Sequence, residues 1–417
     1  MSNQKPNFKR TKYACYFAYL AMASIFCLPS MLFVTFKSIY GISYTLLGTL
    51  VLINFCTQLT IDLIFTFFTR LFNIRKTIRI MPLLTAIGLT IYATVPVIFP
   101  EYTYMGLVFG TIVFSVAAGL CEVLLSPVVA SLPSDNPERD MSTLHSLYAY
   151  GLLIVIVISS LYFKIFGTEN WRYLVYFWAT LPLISCFLFC ISPIPDMDIS
   201  HQEDKKTGKG KYKMLALCAL CIFLGSSAEN AITNWISGYM EKVLNLPKTV
   251  GDIAGLAMFA ILLGLTRTWY AKYGKNISKV LLVGMIGACI CYLIAGFSQS
   301  VIVALIACIL LGIFTSMLWP GTLIMMEENI PNAGVAAYAL MAAAGDFGAS
   351  VAPQLVGIIA DTVSVSSIAT NLSSQLAMSA EQIGMRAGLI ISSLFPFLGI
   401  ILLLYILKTV YRKDKKQ

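Results

Sequence analysis

Apolar runs of about 20 residues or more alternate along this chain with short polar segments. A helix rises about 1.5 Å per residue, so a run of roughly 20 apolar residues crosses a hydrocarbon layer about 30 Å thick. Runs of this kind fall at 13–36, 44–70, 78–99, 103–130, 142–165 and 171–192. A polar stretch, 193–213, comes next and holds His201, Glu203, Asp204, Lys205, Lys206, Lys209, Lys211 and Lys213. Six more runs follow at 214–241, 249–272, 278–298, 300–325, 333–360 and 385–409. The runs are continuous and do not alternate every second residue, which argues for helices over barrel strands. The pattern predicts an all-α membrane protein with twelve transmembrane helices in two six-helix bundles. The bundles cover 1–192 and 214–417, and the stretch 193–213 is expected to be a cytoplasmic linker.

Composition agrees. Hydrophobic residues make up 58% of the 417 positions and charged residues 12%, against about 25% charged in soluble domains. A net charge of +9 raises nucleic acid as a partner, but the placement of the charges points elsewhere. With both termini on the cytoplasmic side, 22 of the 29 Lys and Arg face the cytoplasm. Lys37, Lys164, Arg172, Lys242, Lys248 and Arg386 fall on the other side, and Arg267 lies within a span. That asymmetry sets orientation in a membrane, so the bilayer is the expected partner and nucleic acid is not. The polar first twelve residues and the length of the first run do not fit a cleavable signal peptide.

All eleven cysteines lie in apolar runs, and Cys218 and Cys221 alone have CxxC spacing. Cys289 and Cys291 are two apart, on roughly opposite sides of a helix. These thiols are expected to be packing groups, with no metal and no cofactor. A GxxxxGK[ST] loop is missing, so ATP-driven pumping has no support. The halves echo each other faintly: Pro127 is followed by Pro137 in an Asp-Asn-Pro turn, and Pro320 by Pro331 in a Glu-Asn-Ile-Pro turn. Repeated halves with a solute site near the midplane are a transporter pattern.

A charge in hydrocarbon costs a few kcal/mol or more, so each intramembrane charge needs a partner or a purpose. Asp62, Glu122, Glu229 and Asp346 are the acids well inside spans, and Arg267 is the base. Glu122 lies about 12 Å from the cytoplasmic end of span 4, between Gly119 and Ser126-Pro127. It is the leading candidate to bind solute and carry a proton; the competing reading is an acid that only ties helices together. Glu229, Asn230, Asn234 and Trp235 lie on span 7 with Thr233. Polar groups beside an aromatic plane suit a polyol, and interhelical hydrogen bonding is the equal alternative. Asp62, one turn after Gln58, is expected to act in gating, with Arg70, Arg75 and Lys76 beyond it. Arg267 can snorkel, pair with Asp346 or hold an anionic solute, and a structural or gating pair is favoured. Asp346 stands in Gly345-Asp346-Phe347-Gly348. His145, near the start of span 5, is either a proton relay or a solvated cap.

At these residues the chain resembles the fucose–galactose–glucose:proton symporters of the major facilitator superfamily, in a bacterial branch. The likeness is carried by Gly119–Pro127, by Leu144-His145 through Tyr150-Gly151, by Trp319-Pro320-Gly321-Thr322 and by Gly345–Gly348. The resemblance implies that spans 1, 4, 7 and 10 line the solute route, that Glu122 binds solute and couples protons, and that His145 is the polar residue early in span 5. It also implies the cytoplasmic (inner) membrane and a monomer. Two departures stand out. Ser30 occupies the place of the family's span 1 aspartate, and the loop between spans 2 and 3 reads Thr69-Arg70-Leu-Phe-Asn-Ile-Arg75-Lys76, a degraded form of the superfamily's Gly-rich motif.

The expected function is therefore alternating-access transport of a small polar solute, a monosaccharide or sugar derivative, by symport with protons or sodium. Alternatives are a carrier of an organic anion or sugar acid anchored on Arg267, drug efflux, and a non-transporting receptor. An enzyme is not expected, because no nucleophile and base stand together.

Overall fold

The computed structural model describes residues 8–68, 73–135, 137–195, 209–330 and 335–414. Every regular element among them is a helix. Eleven helical stretches are long and apolar enough to cross a membrane, and the shorter apolar stretch Tyr150–Phe166 makes a twelfth crossing. That stretch belongs to a longer helix, Pro137–Phe166. Its opening turns carry Glu138, Arg139, Asp140 and His145.

The first half of the chain forms α1 (Lys9–Met31), α2 (Phe33–Tyr40), α3 (Tyr44–Phe68), α4 (Ile74–Ile98), α5 (Thr103–Ser131), α6 (Pro137–Phe166) and α7 (Trp171–Ile191). The second half begins with α8 (Lys209–Lys242), then a short α9 (Lys248–Val250). There Gly251–Ala257 widens into a π-helix before α10 (Met258–Tyr273). After these come α11 (Ile277–Phe297), α12 (Val301–Thr315), α13 (Leu318–Asn329), α14 (Val335–Ser364), α15 (Ser367–Leu376), α16 (Ala380–Ser392) and α17 (Leu394–Asp414).

Two spans are broken beside a proline. A proline lacks the N–H that a helix interior needs, and its ring crowds the preceding turn. Pro29 stands just before the end of α1, and Leu32 closes the turn by donating its N–H to the Pro29 carbonyl at 3.1 Å. Pro320 lies in the first turn of α13, where a missing N–H leaves no bond unmade. The Ser316-Met317 step before it interrupts the tenth span.

The described residues sort into two compact units. One comprises 1–35 and 56–200, the other 36–55 and 201–417. In the first unit, α4 and α5 approach closely through glycines. A Cβ at Gly88 would lie 2.5 Å from the Phe114 nitrogen, and one at Gly110 would lie 2.7 Å from the Tyr92 nitrogen. Small residues at such crossings let backbones make van der Waals contact where lipid gives no hydrophobic drive for helices to associate. In the same unit, Trp178 of α7 is buried and donates its indole N–H to the Ser159 hydroxyl of α6 at 3.0 Å. In the second unit, Gly348 of α14 lies against the backbone of α8 at Phe223, with no room for a Cβ.

Candidate functional site

In the second unit, the break in the tenth span has a chemical consequence. Arg267 of α10 donates from Nε to the Ser316 carbonyl at 2.8 Å, beside the break. Its Nη2 donates to both carboxylate oxygens of Glu229 on α8, at 3.1 and 3.2 Å. Glu229 lies 13 residues before the end of α8, about 20 Å along the helix. Ser316 is near the middle of the Val301–Asn329 stretch. Both groups are therefore deep in their spans. The pair is nonetheless accessible: 38% of the Arg267 side chain and 19% of Glu229 are exposed. An ion pair sealed in a helix bundle would have neither exposure.

The other predicted residues of α8 turn inward on their own helix. Asn230 Nδ2 donates to the Ser226 carbonyl at 3.1 Å, Asn234 Nδ2 to the Asn230 carbonyl at 3.0 Å, and the Thr233 hydroxyl to the Glu229 carbonyl at 2.7 Å. Trp235 is 1% exposed. Its indole N–H donates to the Pro353 carbonyl at 3.0 Å, and the Tyr44 ring meets its edge-on at 5.3 Å. It presents no open aromatic face. Asp346 is buried at 6% exposure, and the carboxylate partner of Arg267 is Glu229, not Asp346.

In the first unit, Glu122 is exposed although it stands well inside α5. Phe109, also on α5, is exposed at 57% and apolar; thirteen residues separate it from Glu122, about 140° round the helix. Tyr19 shares a hydrogen bond with Ser126 and lies in electrostatic range of Glu122. Asp62 also interacts with Glu122 electrostatically. The two helices meet at Gly119, where a Cβ would lie 3.1 Å from the Gln58 carbonyl and from Ile61. Glu122 follows Gly119 by one turn, and Asp62 follows Gln58 by one turn. One Asp62 carboxylate oxygen, Oδ1, is buried with no hydrogen-bond partner among the described residues. Ser30, at the place of the family's aspartate, is buried and returns its hydroxyl to the Cys27 carbonyl at 2.8 Å.

The His145 side chain lies outside the described residues, as do Arg70, Asn136, Pro331 and most of the 193–213 stretch, including His201 and Lys205. The cysteines are free thiols, and Cys218 and Cys221 are buried.

A cluster that the sequence reading passed over lies at the start of the eighth span. Asp252, in the π-helical turn, is fully buried. It accepts from the Ser237 hydroxyl and lies 3.5 Å from Lys248, which is itself 3.9 Å from Glu241. The Lys248-Asp252 spacing, four residues apart on one helix, was the available signal.

The sequence matches the Major Facilitator Superfamily profile over residues 14–353. The chain belongs to the Major Facilitator Superfamily. It is a multi-pass membrane transporter of small solutes. Solved structures agree in fold. A bacterial homologue of the human lysosomal transporter Spinster, inward-facing and occupied, is 12% identical with a TM-score of 0.76, over 98% of this chain and 99% of that one. A D-xylose–proton symporter is 15% identical with a TM-score of 0.71, over 94% and 97%. The E. coli fucose:proton symporter is 14% identical with a TM-score of 0.58, over 95% and 98%. No curated protein matches the chain. Within this superfamily fold, the breaks at Leu32 and Ser316-Met317 interrupt the first and tenth spans.

Proposed function

We propose that this transporter takes up a small polar solute of the sugar or sugar-derivative class by alternating access, coupled to protons, across a bacterial inner membrane with both termini cytoplasmic. The observation that carries the reading is the accessible Glu229–Arg267 pair, held in mid-span at the break in the tenth span. A charge kept at such depth needs a partner or a function, and a broken helix supplies an unspent carbonyl of the kind transporters place at their sites. Glu229 and Arg267 hold the solute in the second unit. Glu122, exposed in mid-span, carries the proton in the first, with Asp62 as its electrostatic neighbour. Sugar:proton symporters among the fold relatives support the solute class.

The test is a Glu122→Gln protein in proteoliposomes. A neutral amide cannot load or release a proton, so accumulation driven by an imposed pH gradient should vanish while solute counterflow persists. Gradient-driven accumulation at the unmodified level would remove Glu122 from the coupling role.

A further inference from the structure

Arg267 is engaged on two of its three nitrogens. Nε is taken by the Ser316 carbonyl, and Nη2 alone serves both oxygens of Glu229. A carboxylate that paired with the whole guanidinium fork would use two nitrogens. Here Nη1 makes no hydrogen bond among the described residues, and the side chain is 38% exposed. The space beside it is open. Gly264 lies three residues earlier on α10, within about 60° of Arg267 round the helix, and a Cβ built there would meet nothing within 4 Å. Leu265 and Trp269, exposed at 60% and 61%, form a largely apolar flank about 160° away.

The amide donors and the aromatic ring of α8 that would suit a neutral sugar are engaged within the protein. Asn230 and Asn234 donate to their own helix, and Trp235 is buried. The open donor beside Glu229 is a cation, Arg267 Nη1. We infer that the free Nη1 edge of Arg267 binds a carboxylate of the solute, over the open face at Gly264, so that the transported class is a sugar acid or similar small hydroxy acid. This rests on the proposed transport function and narrows its substrate.

The experiment is uptake by proteoliposomes of the purified full chain. The probes are D-glucuronate, D-galacturonate and D-gluconate, set against D-glucose, D-galactose and L-fucose. The expected result is accumulation of at least one acid, with no competition from its neutral counterpart. Uptake should fall about tenfold or more in Arg267→Gln, the loss expected when a charged hydrogen bond is removed. Gly264→Leu, which fills the open face and touches no charge, should block the same acid without lowering the unfolding temperature. If a neutral sugar is accumulated and Arg267→Gln leaves its uptake unchanged, the inference is overturned and the transport reading stands. If no solute in the panel is accumulated, both are overturned.

Discussion

Asp361 of α14 accepts the backbone N–H groups of Tyr44 and Thr45 at 3.2 and 2.6 Å, and so caps the first turn of α3 from another helix. The first N–H groups of a helix have no partner within it, and a carboxylate there also meets the positive end of the helix dipole. The same turn is gripped a second time. The Tyr44 hydroxyl donates to Glu381 at 2.6 Å, and Lys37 lies 4.0 Å from Glu381 and 4.1 Å from the centre of the Tyr44 ring. These contacts explain why residues 36–55 group with the second half of the chain.

Replacing Asp361 with alanine should lower stability by about 1 kcal/mol, the usual cost of a lost N-cap. Asp361→Asn should recover part of it, because an amide oxygen still accepts. Thermal unfolding of the detergent-solubilised protein reads both. Equal unfolding temperatures for wild type and Asp361→Ala would show that the cap does not stabilise the native state.

Trp235 gives a prediction of the opposite kind from the one its sequence context suggests. Trp235→Phe keeps an aromatic ring but is smaller and removes the indole donor to the Pro353 carbonyl. Stability should fall by about 1–3 kcal/mol, from the lost hydrogen bond and the space left by the smaller ring, while the KM for the solute stays within about twofold. A large rise in KM at unchanged stability would restore the aromatic platform.

The helical crossings were legible because hydropathy acts locally, whereas the break before Pro320 was not read from the run 300–325, which is predominantly apolar. Glu122 and Glu229 were legible because an acid in an apolar run is conspicuous whatever surrounds it. The pairing of Glu229 with Arg267 was not. The two residues are 38 positions apart, and nothing in either run favours Glu229 over Asp346 as the partner. The burial of Trp235 was hidden for the same reason, since it depends on Pro353 and Tyr44 arriving from distant helices. Asp252 escaped notice because a span edge reads as solvated, whereas the π-helical turn buries it.

Asp140, just before the fifth apolar stretch, carries a pH prediction. Hydrogen bonds from Ser134, Lys12 and Tyr16 hold its carboxyl below the ordinary carboxylate range. A group whose native pKa is depressed adds stability above its unfolded value, near pH 4, and loses it as pH falls through the lower native value. Wild type should therefore lose more unfolding temperature than Asp140→Asn between pH 7 and about pH 3. Parallel losses in the two proteins would show that Asp140 contributes no such linkage.

Proton movement on adding solute tests the account most directly. A pH electrode in a weakly buffered suspension of de-energised proteoliposomes follows the external medium after a pulse of transported solute. Wild type should make the medium transiently more alkaline as protons enter with the solute, and Glu122→Gln should not. Solute entry by the wild-type protein with no change in external pH would contradict proton-coupled transport through Glu122.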